Sequence, residues 1–153
     1  GRIPPAGRKS EAELKEIIDY AKAPFIVKGI MSVEGAQKAI NAGAQGIVVS
    51  NHGGRTIDTL PSTIELLPKI AKAVENKIPI LLDGGIRRGS DIVKAIALGA
   101  SAVMIGRPIM YGLATAGALG VAHTLKILKE ELEVSMIFTG CKDVEAIKVL
   151  NLG

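Results

Sequence analysis

The chain has 153 residues, of which 48% are hydrophobic and only 3% aromatic, with no Trp, so Ala, Ile, Leu and Val must build one domain-sized core. The net charge of +4 suits anionic ligands, but there is no dense Lys/Arg run and little aromatic surface for stacking bases, which argues against nucleic acid. A single cysteine, Cys141, excludes an internal disulfide and points to a reducing, cytoplasmic setting; no apolar run of about 18 residues predicts a membrane span.

The opening Gly-Arg-Ile-Pro-Pro-Ala-Gly-Arg lacks the apolar centre of a signal peptide. Ser10-Glu-Ala-Glu13 has capping-box spacing and predicts a helix to about Lys22. A strand is expected over Phe25 to Gly29, then a helix from Ser32 to about Ala42, then a strand over Ile47 to Ser50. Ser62-Thr-Ile-Glu65 repeats the capping-box spacing and opens a helix to about Asn76, in which Pro68 removes a backbone donor and is expected to cause an early bend. A strand over Ile80 to Asp83, a helix over Ser90 to Leu98 and a strand over Ala102 to Ile105 follow. Helices are predicted from about Leu113 to Val121, from His123 to Ser135, and briefly from near Lys142.

This is a βα unit repeated four times behind a leading helix, and such alternation implies a parallel sheet. The repetition extends to sequence. Pro24-Phe-Ile-Val-Lys-Gly29 aligns with Pro79-Ile-Leu-Leu-Asp-Gly84, and Lys38-Ala-Ile-Asn-Ala-Gly-Ala44 with Lys94-Ala-Ile-Ala-Leu-Gly-Ala100. Two βαβ units therefore recur about every 55 residues. A closed (β/α)8 TIM barrel needs eight strands and typically about 250 residues. The fold class expected is therefore α/β, one half of such a barrel, with residues 1–153 as a single half-barrel domain.

Active sites of these barrels lie at the C-terminal ends of the strands. Here each apolar strand runs into glycine or polar residues: Lys28-Gly29, Ser50-Asn51-His52, Asp83-Gly84-Gly85 and Gly106-Arg107-Pro108. In Gly46-Ile-Val-Val-Ser-Asn-His-Gly-Gly-Arg55 the two glycines allow a tight loop that brings His52, a titratable base, close to Arg55, a fixed cation. Such a pair suits an anionic substrate that must lose a proton. Asp83-Gly-Gly-Ile-Arg-Arg-Gly-Ser90 leads into a helix, so its amides and the helix N-terminus are expected to receive a phosphate, with Arg87 as a clamp and Gly106-Arg107 on the second side. Lys28, ending an apolar strand, is costly there unless it meets an anion. Asp58 either orients the His52 loop or is a plain loop carboxylate. His123, on a lysine-rich helix, reads as surface, and Cys141 has no activating partner.

Together, Ile-Val-Lys-Gly-Ile (26–30), Val-Val-Ser-Asn-His-Gly-Gly-Arg (48–55), Leu-Asp-Gly-Gly-Ile-Arg-Arg-Gly-Ser-Asp (82–91) and Met-Ile-Gly-Arg-Pro (104–108) resemble the FMN-dependent 2-hydroxy-acid oxidase and dehydrogenase family of glycolate oxidase, lactate oxidase and flavocytochrome b2. Other phosphate-binding barrels share a Gly-Gly-Ile loop, but Ser-Asn-His-Gly-Gly-Arg argues against them. The resemblance implies FMN as cofactor and oxidation of a small 2-hydroxy acid to the 2-oxo acid. It makes His52 the proton acceptor and Arg55 the ligand of the substrate carboxylate. Lys28 would stand beside the flavin N1/O2 edge, where a cation stabilises the reduced anion. Ser50 would contact the flavin, Asp83, Gly84, Gly85, Ile86 and Arg87 the ribityl chain and phosphate, and Gly106 and Arg107 would complete the phosphate site. It also implies that the family's first four strands are missing, and with them the aspartate that orients the histidine. The chain is then expected to be inactive alone, to expose edges and an apolar inner face, and to dimerise into a pseudo-barrel, pair with an N-terminal half or be prone to aggregation. The alternative is a non-catalytic FMN- or phosphate-binding half-barrel or engineered folding module.

Overall fold

The computed structural model describes residue 7 and residues 9–152. The N-terminal octapeptide, read above as lacking a leader's apolar centre, lies almost wholly outside the described residues.

The order of elements is α1 (Glu11–Ala21), β1 (Ile26–Ile30), α2 (Val33–Asn41), β2 (Gly46–Val49), a 3-10 turn (His52–Gly54), α3 (Thr63–Val74), β3 (Ile80–Leu82), α4 (Gly89–Ala97), β4 (Ala102–Val103), α5 (Arg107–Phe138) and α6 (Val144–Ile147). The capping box of α1 forms as its spacing predicts: Glu13 N–H donates to Ser10 Oγ, and Ser10 N–H to Glu13 Oε2. Ser32 caps α2 by accepting from Gly35 N–H. Ser62 departs from the pattern, because its hydroxyl donates to Glu65 Oε1 and caps no backbone amide. Pro68 sits within α3, which runs from Thr63 to Val74 with the proline inside it.

The four strands form one parallel sheet in the order β1-β2-β3-β4. Their alternation divides two environments. Ile47, Val49, Ile80 and Leu82 face the helices and join Leu67, Ile70, Val74 and Ile96 in one core. Lys28, Val48, Leu81 and Ala102 stand in register across the other face. That second face is only partly the open apolar surface the sequence predicts. Val48, in the middle of the sheet, is 3% exposed, whereas Ile26 and Met104, at the two edges, are 48% and 38% exposed.

β1 carries a bulge that periodicity does not announce. Lys28 pairs with Val48 and Ile30 with Val49, so Gly29 is the extra residue. Its φ of 98° is accessible to glycine. Without the bulge, Lys28 and Ile30 would share a face. With it, Lys28 turns to the sheet's free face while Ile30 enters the core.

The C-terminal helices differ from expectation. α5 begins at Arg107, not Leu113, and breaks at Ala116 (φ −150°) and Gly117 (φ 56°, ψ −138°), not near residue 122. The chain reverses there. Gly112 and Gly120 meet so closely that a Cβ on Gly120 would lie 1.9 Å from Gly112 O. His123 is exposed on the second arm, and Cys141 is buried and unpaired. Among the described residues no helix is long and apolar enough to cross a membrane.

Candidate active site

The C-terminal strand ends open into a cleft of about 770 Å³, within the range of ligand pockets. Lys28, His52, Arg55, Asp83, Gly84, Gly85, Arg87, Gly106 and Arg107 all line it. Ser50 and Ile86 do not. Ile86 is buried in the core, which leaves only its backbone for any ligand. Ser50 is fully buried, and its Oγ accepts from Lys28 Nζ at 2.7 Å and from His52 N–H at 3.2 Å. It is therefore the hinge between the lysine and the histidine loop.

Lys28 Nζ also donates to Asp83 Oδ2 at 2.6 Å. The lysine thus meets the anion that its position demands, from the strand two places along the sheet. Asp83 is further fixed at its carbonyl, which accepts from the buried Thr63 hydroxyl at 2.6 Å. Its other carboxylate oxygen, Oδ1, is buried with no hydrogen-bond partner among the described residues. A buried unsatisfied acceptor calls for a donor from a ligand or an ordered water.

His52 has φ 56° and opens the 3-10 turn, which Asn51 caps by accepting from Gly54 N–H. The imidazole lies against the bulge: a Cβ on Gly29 would sit 2.9 Å from His52 Cε1. Gly29 therefore both turns Lys28 outward and leaves room for the ring. Among the described residues no carboxylate hydrogen-bonds to that ring. Asp58 does not orient the loop toward Arg55; its Oδ1 accepts from Thr59 N–H within its own turn. Arg107 reaches across from the start of α5 and donates to Gly53 O, tying the fourth strand end to the histidine loop.

The expectation that the N-terminus of α4 receives an anion is corrected by the hydrogen bonding. Arg87 N–H and Arg88 N–H both donate to Asp91 Oδ2, and Gly89 N–H donates to Glu131 Oε2, each at 2.9 Å. Three successive amides are already taken by carboxylates. Cationic capacity in the cleft instead comes from Arg55, Arg87 and Arg107, together with Lys28, whose ammonium Asp83 holds in place as one half of an ion pair. Space is available at Gly85 and Gly106, where an added Cβ would meet nothing within 4 Å. Sequence reasoning missed Thr63, Asp91 and Glu131. The serine at 62 drew attention from Thr63, and Glu131 lies 42 residues from the amide it binds.

Parallel strands whose C-terminal ends bring a lysine–aspartate pair, a histidine on a glycine turn and three arginines to one cleft have the layout of one wall of an α/β-barrel enzyme's active site. The chain belongs to the FMN-dependent dehydrogenase family, whose model matches residues 6–152. It is 53% identical over 137 residues to the L-lactate oxidase of Lactobacillus jensenii, covering 90% of this chain and 34% of that protein. It is 52% identical over 135 residues to the peroxisomal (S)-2-hydroxyacid oxidase GLO3 of Arabidopsis thaliana, covering 88% of this chain and 37% of that one. A crystal structure of the lactate oxidase of Pediococcus acidilactici superposes with a TM-score of 0.91 at 46% identity, over 94% of this chain and 40% of the other. The chain thus spans about a third of the length of the curated relatives it matches, and its fold is half of their TIM barrel.

The residues present fit FMN, the cofactor of this family. The orphaned Asp83 Oδ1 wants a hydroxyl donor such as a ribityl chain carries, and the cleft that has open space at Gly85 and Gly106 is also lined by Arg87 and Arg107.

Proposed function

We propose that this chain supplies the base, one carboxylate clamp and the cofactor phosphate site of an enzyme that oxidises an L-2-hydroxy acid of lactate or glycolate type to the 2-oxo acid. The observation that carries the reading is the joining of His52 and Arg55 on one loop, above a floor made by Lys28 and Asp83. Arg55 pairs with the substrate carboxylate and presents the C2 alcohol to His52. A His52 ring nitrogen takes a proton as the alcohol becomes a ketone, a transfer worth about 10²–10⁴ in rate. FMN, when bound, accepts the two electrons. Lys28, held by Ser50 and Asp83, keeps a cation fixed where negative charge develops, so no reorganisation is needed during reaction. Arg87, Arg107 and the Gly106 backbone hold the phosphate, and Asp83 and the Gly84-Gly85-Ile86 backbone hold the ribityl chain.

Residues 1–153 are best read as one half-barrel that needs a partner. Both β1 and β4 are sheet edges, and Ile26, Met104 and Met110 are exposed beside them. Either an N-terminal half or a second copy would cover that surface, and the N-terminal half would also supply a carboxylate for His52. The absence of such a carboxylate among the described residues favours, for the chain alone, binding without turnover. The unpaired Cys141 supports a reducing compartment; the cytoplasm meets this condition, as does the peroxisome in which the Arabidopsis relative is named.

The test is an absorbance titration with FMN followed by anaerobic L-lactate. The chain alone is expected to perturb the flavin spectrum without bleaching it, and to bleach it once the missing half is added. Failure to bind FMN in either state would overturn the reading.

A further inference from the structure

We infer that Glu131, outside the cleft on α5, is a positioning residue that sets the form of the 84–89 loop and through it the affinity for the phosphoester end of the cofactor. This rests on the cofactor reading above. Glu131 touches nothing in the cleft; it borders a separate groove with Arg88, Ser90, Val134 and Ser135. Its two oxygens hold two adjacent residues of the loop. Oε2 accepts from Gly89 N–H at 2.9 Å, and Oε1 accepts from Arg88 Nη1 at 2.9 Å.

The loop is pinned at its entrance by Thr63 on Asp83 O and at its exit by Asp91 and Glu131. Between these pins lie Gly84 and Gly85, both at positive φ and therefore the least restrained residues of the span. Asp91 sits inside the same turn and can travel with it. Glu131 is the pin that refers the loop to another element. Gly89 is buried, and a Cβ there would fall 2.0 Å from Leu132 N, so the start of α4 rests directly on α5. The Gly89 amide and the Arg88 guanidinium hold the Glu131 carboxylate, and the Arg87 and Arg88 amides hold that of Asp91, all in charge-assisted bonds. The Gly89 bond is the largest reason that the Glu131 carboxyl lies below its ordinary pKa. Without Glu131, a buried N–H loses its acceptor, and the segment that carries Arg87 loses its side-chain tie to α5 while Arg87 keeps its own bonds to Asp91 and Ile86 O.

The effect must therefore be indirect and confined to the ligand group that Arg87 reads. Three variants test this by two readouts on the whole chain: amide hydrogen exchange of segment 84–89, and fluorescence titration with FMN and with riboflavin, which lacks the phosphate. E131A is expected to speed exchange across 86–89, to weaken FMN by roughly tenfold and to leave riboflavin unchanged. E131Q keeps an acceptor for Gly89 N–H and should restore most of the FMN affinity. E131D keeps the charge but shortens the reach, and carries the same expectation as E131A should that variant not fold. Wild-type FMN affinity in E131A or E131D, or equal loss of FMN and riboflavin, overturns the inference. A wild-type chain that does not prefer FMN to riboflavin overturns the phosphate-site reading itself and this inference with it.

Discussion

Lys28 Nζ lies 2.6 Å from Asp83 Oδ2, and the two residues occupy the same place in the two copies of the chain's internal repeat. Pro24-Phe-Ile-Val-Lys28 and Pro79-Ile-Leu-Leu-Asp83 deliver one cation and one anion to neighbouring points above the same sheet face. The repeat thus builds its own ion pair, and Ser50 on the intervening strand bonds to it. The Asp83 side chain is 18% exposed, so removing Lys28 leaves a largely buried carboxylate without its cation. K28M is expected to cost about 1–3 kcal/mol in urea denaturation. K28M combined with D83N should cost less than the sum of the single changes, by about 1 kcal/mol. Simple additivity would show that the pair is not coupled.

Gly29 carries two duties at once. Its φ of 98° makes the bulge, and a Cβ there would sit 2.9 Å from His52 Cε1. G29A is expected to lose about 1–3 kcal/mol of stability from backbone strain. It should also displace the imidazole, so that flavin reduction in a completed barrel falls further than FMN affinity does. Unchanged His52 chemical shifts in G29A would contradict this.

Two other glycines should respond in opposite ways. A Cβ on Gly120 would lie 1.9 Å from Gly112 O, where two helix arms cross, and that contact is backbone and cannot step aside. G120A is expected to lower the thermal midpoint strongly, by about 1–3 kcal/mol or more in stability. Gly106 has φ −106° and open space around it, so G106A should melt like the parent chain. Its methyl enters the phosphate space, and FMN affinity should fall. Equal melting of both variants would show that the helical hairpin is not packed as described.

Glu131 gives a pH signature. Its carboxyl is held below its ordinary value of 4.5, chiefly by the bond from Gly89 N–H and then by Arg88. A group whose folded pKa is depressed stabilises the fold above its unfolded pKa and loses that contribution as pH falls through the lowered folded value. The stability advantage of wild type over E131Q should therefore be constant near neutral pH and shrink below pH 4.5. Denaturation curves of both proteins at pH 7 and at progressively lower pH would read this directly. A gap that widens on acidification would contradict it.

The βα alternation was legible because each strand is a short apolar run bounded by glycine or polar residues, and each helix has a cap or a periodic face. The cleft residues were legible for the same reason: whatever ends such strands must gather at one rim. Other features depend on contacts distant in sequence. The bulge at Gly29 follows from the need to turn Lys28 and Ile30 to opposite faces, which no local period reveals. The break at Ala116–Gly117 follows from the crossing of Gly112 and Gly120, and local helix propensity placed it several residues too late. The amides of α4 looked free because Asp91 and, above all, Glu131 could not be seen to reach them.

The most direct test of the central claim exchanges residues 9–152 for the matching stretch of the lactobacillal L-lactate oxidase, which supplies the missing half. The purified hybrid is mixed anaerobically with L-lactate, and the flavin absorbance is followed. The account predicts rapid bleaching, and in the H52A hybrid retained FMN with reduction slowed by about 10²–10⁴. A hybrid that binds FMN and reduces it equally well with and without His52 would contradict it.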